Sequence, residues 1–353
     1  MVTAWAVVVA LTLLASWGFG LLGLPSPQLF GALFAGMLYA VSGRGTDVQL
    51  PGWGSVAGQA LIGISMGALL NLATLRELGG HAGPIALVNI ATLVLSLLVG
   101  QAFARTGHVG SATGTFSMIA GGASGITAIA RELGADDRIT SVVQYLRVVM
   151  ILVGMPLVTA AVFTPASTGG AVGTSEGSSL LVDLAFTLLC GAVGVVLARL
   201  VRFPSGSLLG PLFVAAGVSL SGVMGHPAVP EVALGLAYAL VGLQVGLRFT
   251  RASLRQVGRL LPMAVGYILA IIAGCAALGM VLARVTGMPQ LDAYLATTPG
   301  GLYAVLATAA SSGADVTFVL AVQVIRLILV LASAPLIASW FRGHPGLWDD
   351  AVD

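Results

Sequence analysis

The chain has 353 residues, of which 58% are hydrophobic and 8% are charged. An average soluble domain carries roughly 25% charged residues, so this composition excludes an ordinary soluble fold and indicates a chain surrounded by lipid. The formal net charge of +2 says little about partners. All 15 basic residues are arginine, which together with 48 glycines suggests a bacterium with a GC-rich genome.

Twelve apolar segments follow one another along the chain, six in each half. The first half contains segments at roughly 3–23, 26–43, 55–73, 83–105, 111–130 and 139–163. The second half contains segments at roughly 180–201, 205–223, 231–248, 261–284, 289–312 and 316–341. A spanning helix needs about 20 residues, so five segments of each half are adequate as spans if the shortest pack inside the bundle.

The second half repeats the first at an offset of 179 residues, apart from a local one-residue shift near Thr106 and Thr286. The matched positions include Pro25-Ser26 and Pro204-Ser205, Gly121-Gly122 and Gly300-Gly301, Asp136 and Asp315, Gln144 and Gln323, and Arg147 and Arg326. Such self-similarity indicates a duplication. The predicted organisation is membrane repeat 1 over 1–163, a linker over 164–179, membrane repeat 2 over 180–342 and a C-terminal tail over 343–353.

The fifth segment of each half differs from the others because it holds a glycine pair. Residues 111–130 are rich in Gly, Ser and Thr, and in 289–312 Pro299 precedes the pair. Adjacent glycines favour a break in a helix. Non-helical backbone at membrane depth is tolerated only where protein buries it or it lines a cavity. We interpret both segments as re-entrant hairpins, with continuous spanning helices as the alternative.

The arginines between the segments favour the re-entrant interpretation. It places 11 of them on one side of the membrane and 2 on the other, whereas spanning segments give 9 and 4. Positive loops face the cytoplasm. Five spans per copy is an odd number, so the copies have opposite orientations. The predicted fold is therefore all-α and integral to the membrane, with two inverted repeats of about five transmembrane helices plus one Gly-Gly re-entrant segment each, and both termini cytoplasmic.

Two features of the repeat predict a binding site. Broken segments that meet at mid-membrane offer free backbone groups to a ligand, although close helix packing also uses glycine. Arg147 and Arg326 lie inside apolar helices, each three residues after a glutamine on the same helical face. The predicted substrate-binding residues are Ser117, Gly121, Gly122, Ser124, Gly125, Gln144, Arg147, Thr297, Thr298, Gly300, Gly301, Tyr303, Gln323 and Arg326.

The arginines allow two interpretations. An intramembrane charge is costly and faces the bundle interior or a wet cavity, where it could bind an anionic substrate. Alternatively, each guanidinium is structural and donates hydrogen bonds to helix-end carbonyls in the opposite hairpin. Asp136 and Asp315 stand just before a helix, where an N-cap role is expected.

The sequence predicts neither an enzyme nor a metal site. The four histidines lie in loops or tails, and Cys190 and Cys275 lie in different apolar runs without metal-ligand spacing. We expect no catalytic residues and no cofactor beyond a coupling ion, for which Na+ and H+ are both open.

The duplicated pattern resembles the AbrB-duplication membrane protein family. The resemblance rests on Pro25-Ser26 with Gly31, on their counterparts Pro204-Ser205 with Gly210, on the glycine pairs and on the paired Gln and Arg residues. Members have been labelled regulators of gene expression and, loosely, ammonia monooxygenases. They are distinct from the small soluble DNA-binding proteins that share the name.

The architecture is also similar to the sodium–glutamate and citrate symporters, whose inverted halves carry Gly-Gly re-entrant loops. Gly121-Gly122 and Gly300-Gly301 would be the matching positions. The similarity is one of design, so a substrate does not follow from it.

We therefore expect a secondary-transporter-like protein that moves a small anionic solute across a bacterial cytoplasmic (inner) membrane. The alternative is a membrane-embedded regulator or sensor of gene expression that acts without transport. A monooxygenase would need metal ligands that the histidines and cysteines do not supply. The expected partners are the lipid bilayer and the solute, with a homodimer left open. No nucleic acid is expected, because no module for binding it is visible in the sequence.

The topology can be tested by cysteine accessibility in intact cells. Both termini and the loop 249–260 should be shielded from an impermeant thiol reagent, whereas single cysteines in 164–179 and 224–230 should react. If a cysteine at position 170 reacts only after the membrane is permeabilised, the inverted arrangement is wrong.

Overall fold

A computed structural model gives the backbone of residues 2–21, 26–44, 48–70, 72–120, 130, 135–163, 179–201, 206–225, 227–251, 255 and 257–342. These residues form helices and the turns between them, with no β-strand among them. Every one of the twelve predicted apolar segments contains a helix, so the prediction of an all-helical chain is confirmed.

The helices are numbered in chain order over the described residues. They are α1 (Val2–Leu21), α2 (Pro27–Tyr39), α3 (Gly52–Ala68), α4 (Leu72–Gly80), α5 (Ala82–Gly107), α6 (Ser111–Met118), α7 (Asp137–Val162), α8 (Leu180–Val201), α9 (Gly206–Ser221), α10 (Glu231–Gly246), α11 (Leu261–Thr286), α12 (Gln290–Thr297), α13 (Leu302–Ser311) and α14 (Val316–Arg342). A short π-helical turn, Ala40–Arg44, extends α2.

Proline and glycine mark several of the helix ends. Pro51, Pro230 and Pro289 stand immediately before α3, α10 and α12, where the missing N–H of proline costs no helical hydrogen bond. Gly287 ends α11 with a φ of 73°, the left-handed conformation that glycine adopts readily.

Five helices of the described residues are long and apolar enough to cross a membrane. They cover Thr3–Leu21, Ala82–Gly107, Ile139–Thr159, Leu180–Val201 and Leu261–Thr286. A sixth candidate is the pair α3 and α4, which bends by 81° at its break. Leucines cover the outward faces of the long helices, as at Leu87 of α5 and Leu188 of α8, which are 68% and 71% exposed. These features are typical of a multi-pass membrane protein. Five spans in each repeat stays a prediction, because other helices are shorter.

The chain divides into two compact units, and each draws on both sequence repeats. Unit 1 comprises Met1–Leu75, Met155–Arg251 and Leu306–Thr317, and unit 2 comprises Arg76–Gly154, Ala252–Val305 and Phe318–Asp353. The division by repeats, with its linker and tail, is a division by sequence similarity and stays a prediction.

Unit 1 is organised by reciprocal packing between the repeats. Helix α3 of the first repeat packs on α9 of the second, and α10, the counterpart of α3, packs on α2. The same reciprocity holds within each copy, since α1 packs on α2 and α8 packs on α9. The interface between the two copies is therefore symmetric, with each contact matched by the contact of the equivalent residues. Any twofold duplication can form such an interface, and the opposite orientation of the repeats in a membrane stays a prediction.

Glycine brings these helices into backbone contact. A Cβ atom added to Gly63 would overlap the carbonyl oxygen of Leu208, and one added to its counterpart Gly242 would overlap that of Leu29, the counterpart of Leu208. Such close approach through small residues is how helices gain van der Waals contact in a membrane, where burial of apolar surface gives little driving force.

Unit 2 is built around two matched long helices, α5 and α11, which pack on each other. Helix α6 packs on α5, and its counterpart α12 packs on α11. The fully buried side chains Phe103 of α5, Met118 of α6, Val143 of α7 and Ile268 of α11 form part of one core. A second core joins Phe116 of α6 to Val330 of α14 and so connects the two repeats.

The contact at Gly63 and Gly242 can be tested by substitution. Gly63→Val or Gly242→Val should each destabilise the protein, because the added atoms force α3 from α9 or α10 from α2. We expect a loss of about 1–3 kcal/mol, typical of overpacking, measured as a lower melting temperature in detergent.

Gly217→Ala in α9 is the matched control. Gly217 has open space around its Cα, so the substitution should be neutral or slightly stabilising, since alanine is the better helix former. Melting temperatures of the valine variants equal to that of the control would contradict the packing described here.

Candidate functional site

Two helices of unit 2 end abruptly among buried residues. Helix α6 stops at Met118, and Ile119 is extended with φ −66° and ψ 125°. Helix α12 stops at Thr297, and Thr298 is extended with φ −57° and ψ 127°. Proline disfavours a helical conformation in the residue before it, so Pro299 accounts for the second break. Each end leaves backbone carbonyls without helical donors.

The Gln and Arg pairs supply those donors. In the first repeat, Gln144 Nε2 donates to the Phe116 carbonyl at 2.8 Å, and Arg147 Nη1 donates to the carbonyls of Met118 and Ile119 at 3.0 and 3.1 Å. All these residues are buried. Charge-assisted bonds of this kind are stronger than neutral ones.

The second repeat reproduces the same contacts residue for residue. Gln323 Nε2 donates to the Leu295 carbonyl at 3.0 Å and to that of Thr298 at 3.1 Å. Arg326 Nη1 donates to the carbonyls of Thr297 and Thr298 at 3.2 and 2.9 Å. The structural interpretation of the arginines thus has direct support. The expectation that the carbonyls belong to the opposite hairpin is wrong, because each arginine binds the broken helix of its own repeat.

The Gln and Arg residues of the two repeats differ in which of their polar atoms lack a hydrogen-bond partner. Arg326 Nη2 also donates to Gln323 Oε1. In the first repeat, Gln144 Oε1 and Arg147 Nε are both buried without a hydrogen-bond partner. A guanidinium has five N–H donors. Arg326 uses three of them within the described residues and Arg147 uses two, so both retain hydrogen-bonding capacity.

A small cavity with both polar and apolar lining residues lies where the two breaks come together in unit 2. Its lining residues are Thr92, Leu93, Ser96, Ala120, Cys275, Pro299, Arg326 and Val330. Ala120 and Pro299 directly precede the two glycine pairs. The cavity has room for about one water molecule. The structure therefore brings both breaks and one of the buried arginines to a single point.

The remaining predicted site residues fall into two groups. The hydroxyls of Ser117, Thr297 and Thr298 are buried and donate to carbonyls of their own helices, those of Thr113, Ala293 and Tyr294, at 2.5, 3.0 and 2.7 Å. Each buried hydroxyl is thereby satisfied within its own helix.

The glycine pairs and their neighbours are described only in part. Gly300 and Gly301 lie between α12 and α13, and a Cβ atom on Gly300 would come within 2.9 Å of Ile151 in α7. Tyr303 belongs to α13, but its side chain lies outside the described residues, as do Gly121, Gly122, Ser124 and Gly125. The breaks predicted at both glycine pairs are present at Ile119 and Thr298. Whether each segment turns back to the side it entered from stays a prediction.

The predicted N-caps are confirmed. Asp136 accepts a hydrogen bond from the Ile139 N–H at 3.1 Å, at the start of α7. Its counterpart Asp315 accepts from the Thr317 N–H at 2.8 Å, at the start of α14. Both carboxylates thus have a structural role at the first turn of the helix that carries the Gln and Arg pair.

Of the cavity-lining residues, only Arg326 was among the predicted substrate-binding residues, and the side chains with O–H or S–H groups that the prediction missed are Thr92, Ser96 and Cys275. The signal that could have found them is a difference between the repeats. Thr92 and Ser96 of α5 are matched by Ile271 and Cys275 of α11, although all four are buried. A search for conserved motifs within the repeat overlooks positions where the copies diverge.

One family model and two related proteins match most of this chain. The family model described as "Transition state regulatory protein AbrB" matches residues 28–342. An Escherichia coli (strain K12) protein named "Putative regulator AbrB" is 32% identical over 343 residues, which is 97% of this chain and 98% of that protein. A Bacillus subtilis (strain 168) protein named "Uncharacterized protein YhjN" is 28% identical over 291 residues, covering 79% of this chain and 76% of that protein.

The capping role of the arginines predicts a stability effect. Arg147→Gln should destabilise the protein by about 1–3 kcal/mol, because the Met118 and Ile119 carbonyls lose their charged donor. Arg147→Lys should lose less, since the ammonium can still donate to one carbonyl. The measurement is thermal unfolding in detergent, with the exposed Arg76→Gln in α4 as the control. Equal melting temperatures for Arg147→Gln and the control would show that these hydrogen bonds do not stabilise the fold.

Proposed function

The chain belongs to the AbrB family, and we propose that it works as a secondary transporter for a small anionic solute. The observation that carries this proposal is the meeting of two helix breaks, one from each repeat, at a single small cavity lined by Arg326. Transporters built from repeats bind their substrates at interrupted helices, where free backbone groups and helix ends face the ligand.

The charge of the arginines favours an anion. Arg147 and Arg326 are each 4% exposed, and neither forms an ion pair with a carboxylate of the described residues. The carbonyls that they contact are neutral dipoles, so two positive charges remain in a region of low dielectric. An anion would neutralise part of this charge. A cationic solute would add to the repulsion.

The location, topology and coupling ion that we propose rest on the sequence. The protein would reside in a bacterial inner membrane with both termini cytoplasmic and its repeats inverted. It would be a transporter and not an enzyme, would use no cofactor, and would couple transport to Na+ or H+. Its partners would be the lipid bilayer, the solute and, if it dimerises, a second copy.

A second candidate is a membrane-embedded regulator or sensor that acts without transport. The observation in its favour is the description of the family model and the name of the Escherichia coli relative. Such a protein would bind the solute at the same cavity and report its presence to another component. Binding therefore does not distinguish the two candidates, whereas transmembrane movement does.

Uptake by liposomes containing the purified protein tests the proposal. Against a panel of carboxylates, amino acids and inorganic anions, at least one anion should show saturable uptake and raise the melting temperature. Arg326→Gln should abolish both effects. Arg326→Lys should also bind poorly, because it keeps the charge but loses the planar pair of donors. Arg76→Gln, which changes an exposed arginine, should transport like the unchanged protein.

The outcomes separate the candidates. Stabilisation by an anion without uptake would favour the regulator. Normal uptake by a folded Arg326→Gln variant would place the solute site elsewhere, and the absence of both uptake and stabilisation with every anion would overturn the transport proposal.

A further inference from the structure

Two exposed arginines stand at one end of the helix pair α5 and α11 in unit 2. The end of α5 meets the start of α11 there, since the hydroxyl oxygens of Thr106 and Tyr267 lie 3.1 Å apart. Arg105 directly precedes Thr106 in the last turn of α5. Arg259 lies two residues before α11 begins at Leu261. Both arginine side chains are exposed, so the contact between the helices is flanked by two accessible positive charges.

The opposite end of the same helix pair gives an internal comparison. The counterpart of Arg105 is Arg284, in the last turn of α11, and the counterpart of Arg259 is Gly80, just before α5. Both of these residues are also exposed. The duplication therefore supplied equivalent positions at both ends, and only the end formed by Arg105 and Arg259 has an arginine at each.

The exposed face of α11 that runs on from Arg259 carries small side chains. Its residues, at the spacing of one helix face, are Gly266, Ala270, Ala273 and Ala277. The matched face of α5 is bulky at three of these four positions, which hold the exposed residues Leu87, Val94 and Leu98. Small side chains let an acyl chain or another helix approach the backbone closely. The face by itself therefore does not identify what covers it.

The charge identifies the occupant. Neither guanidinium, that of Arg105 or that of Arg259, forms a hydrogen bond or ion pair within the described residues, and a guanidinium stays protonated. In a twofold dimer within one membrane, both copies of α11 would enter from the same side, so their arginines would meet and repel. A phospholipid instead places a phosphate at the end of the helix and its acyl chains along the apolar face. Basic sites between membrane helices bind such headgroups.

We propose that this end of α5 and α11 is a binding site for one anionic phospholipid. The phosphate oxygens accept hydrogen bonds from the guanidinium groups of Arg105 and Arg259, which suit phosphate geometry. An acyl chain lies along α11 at Gly266 and Ala270. The site would exist whether or not the protein transports a solute, so it is independent of the proposed function.

A matched pair of lipids tests the site. The purified full-length protein in detergent is titrated with phosphatidylglycerol and with phosphatidylcholine of the same acyl chains, and native mass spectrometry gives the apparent Kd of the first bound lipid. Both lipids have a phosphate, but phosphatidylcholine also carries a positive charge. Because each arginine near an anionic headgroup contributes about fivefold in affinity, phosphatidylglycerol should bind about 25-fold more tightly.

Substitutions assign this preference to the two arginines. Arg105→Gln and Arg259→Gln should each weaken phosphatidylglycerol binding about fivefold and leave phosphatidylcholine binding within about twofold. Arg259→Lys should keep most of the affinity, since an ammonium also donates to phosphate. Arg284→Gln at the opposite end is the matched control and should bind both lipids like the unchanged protein. The loop before α11 keeps its other three arginines in every variant, so its topological signal remains. They are Arg248, Arg251 and Arg255.

Equal affinities of the unchanged protein for the two lipids would overturn the proposal. A loss in Arg284→Gln as large as that in Arg105→Gln would also overturn it, because it would show a general effect of surface charge. If a glutamine variant fails to fold, Arg259→Lys and the comparison of the two lipids in the unchanged protein still decide. A disulfide between two copies of an Ala270→Cys variant in phosphatidylglycerol vesicles would place a second copy on this face in place of the lipid.

Discussion

A helix that ends among buried residues leaves carbonyl groups that neither water nor a continuing helix can satisfy. This constraint governs unit 2. Each break is tolerated because a glutamine and an arginine three residues apart on the next long helix of the same repeat reach back to the exposed carbonyls. An arginine suits the task because it can bind two carbonyls at once. It also introduces a charge that the carbonyls do not cancel. The same contact that makes the break stable thus makes its surroundings attractive to an anion.

The two units solve different packing problems with the same residue. In unit 1, glycine removes side chains so that helices meet backbone to backbone, as at Gly63 and Leu208. At the second break of unit 2, Pro299 disfavours a helical conformation at Thr298, and Gly300 lets the chain pass close to Ile151. The glycine content alone does not distinguish these two roles. The position of each glycine does, because the packing glycines lie within apolar helices and Gly300 follows a buried helix end.

The sequence predicted the helices well because lipid imposes a simple requirement, a long apolar run. It predicted a break at the second glycine pair because adjacent glycines disfavour a helix, and the break lies two residues earlier, at Thr298, because Pro299 disfavours a helical residue before it. It did not predict the partner of Arg147, because an internal alignment gives equivalence between positions and no distances between them. The acceptors lie 28 and 29 residues earlier in the chain, at the end of α6, which the side chains of α7 reach in the fold. Thr92 and Ser96 of α5 were not predicted for another reason. A hydroxyl in a membrane helix is commonly satisfied by its own backbone, so only the comparison with Ile271 and Cys275 of α11 distinguishes these two positions.

The reciprocal contacts of unit 1 have an evolutionary consequence. Gly63 meets Leu208 and Gly242 meets Leu29, so one repeat contains both surfaces of the interface, and two separate copies of an ancestral half could have associated through it as an isologous dimer. In such a dimer the residues now at 92 and 271 would have been encoded by one codon, and a polar face opposite an apolar one could not have arisen. Fusion into one chain released that restriction. Covalent linkage of the halves therefore allows matched positions such as 92 and 271 to become different.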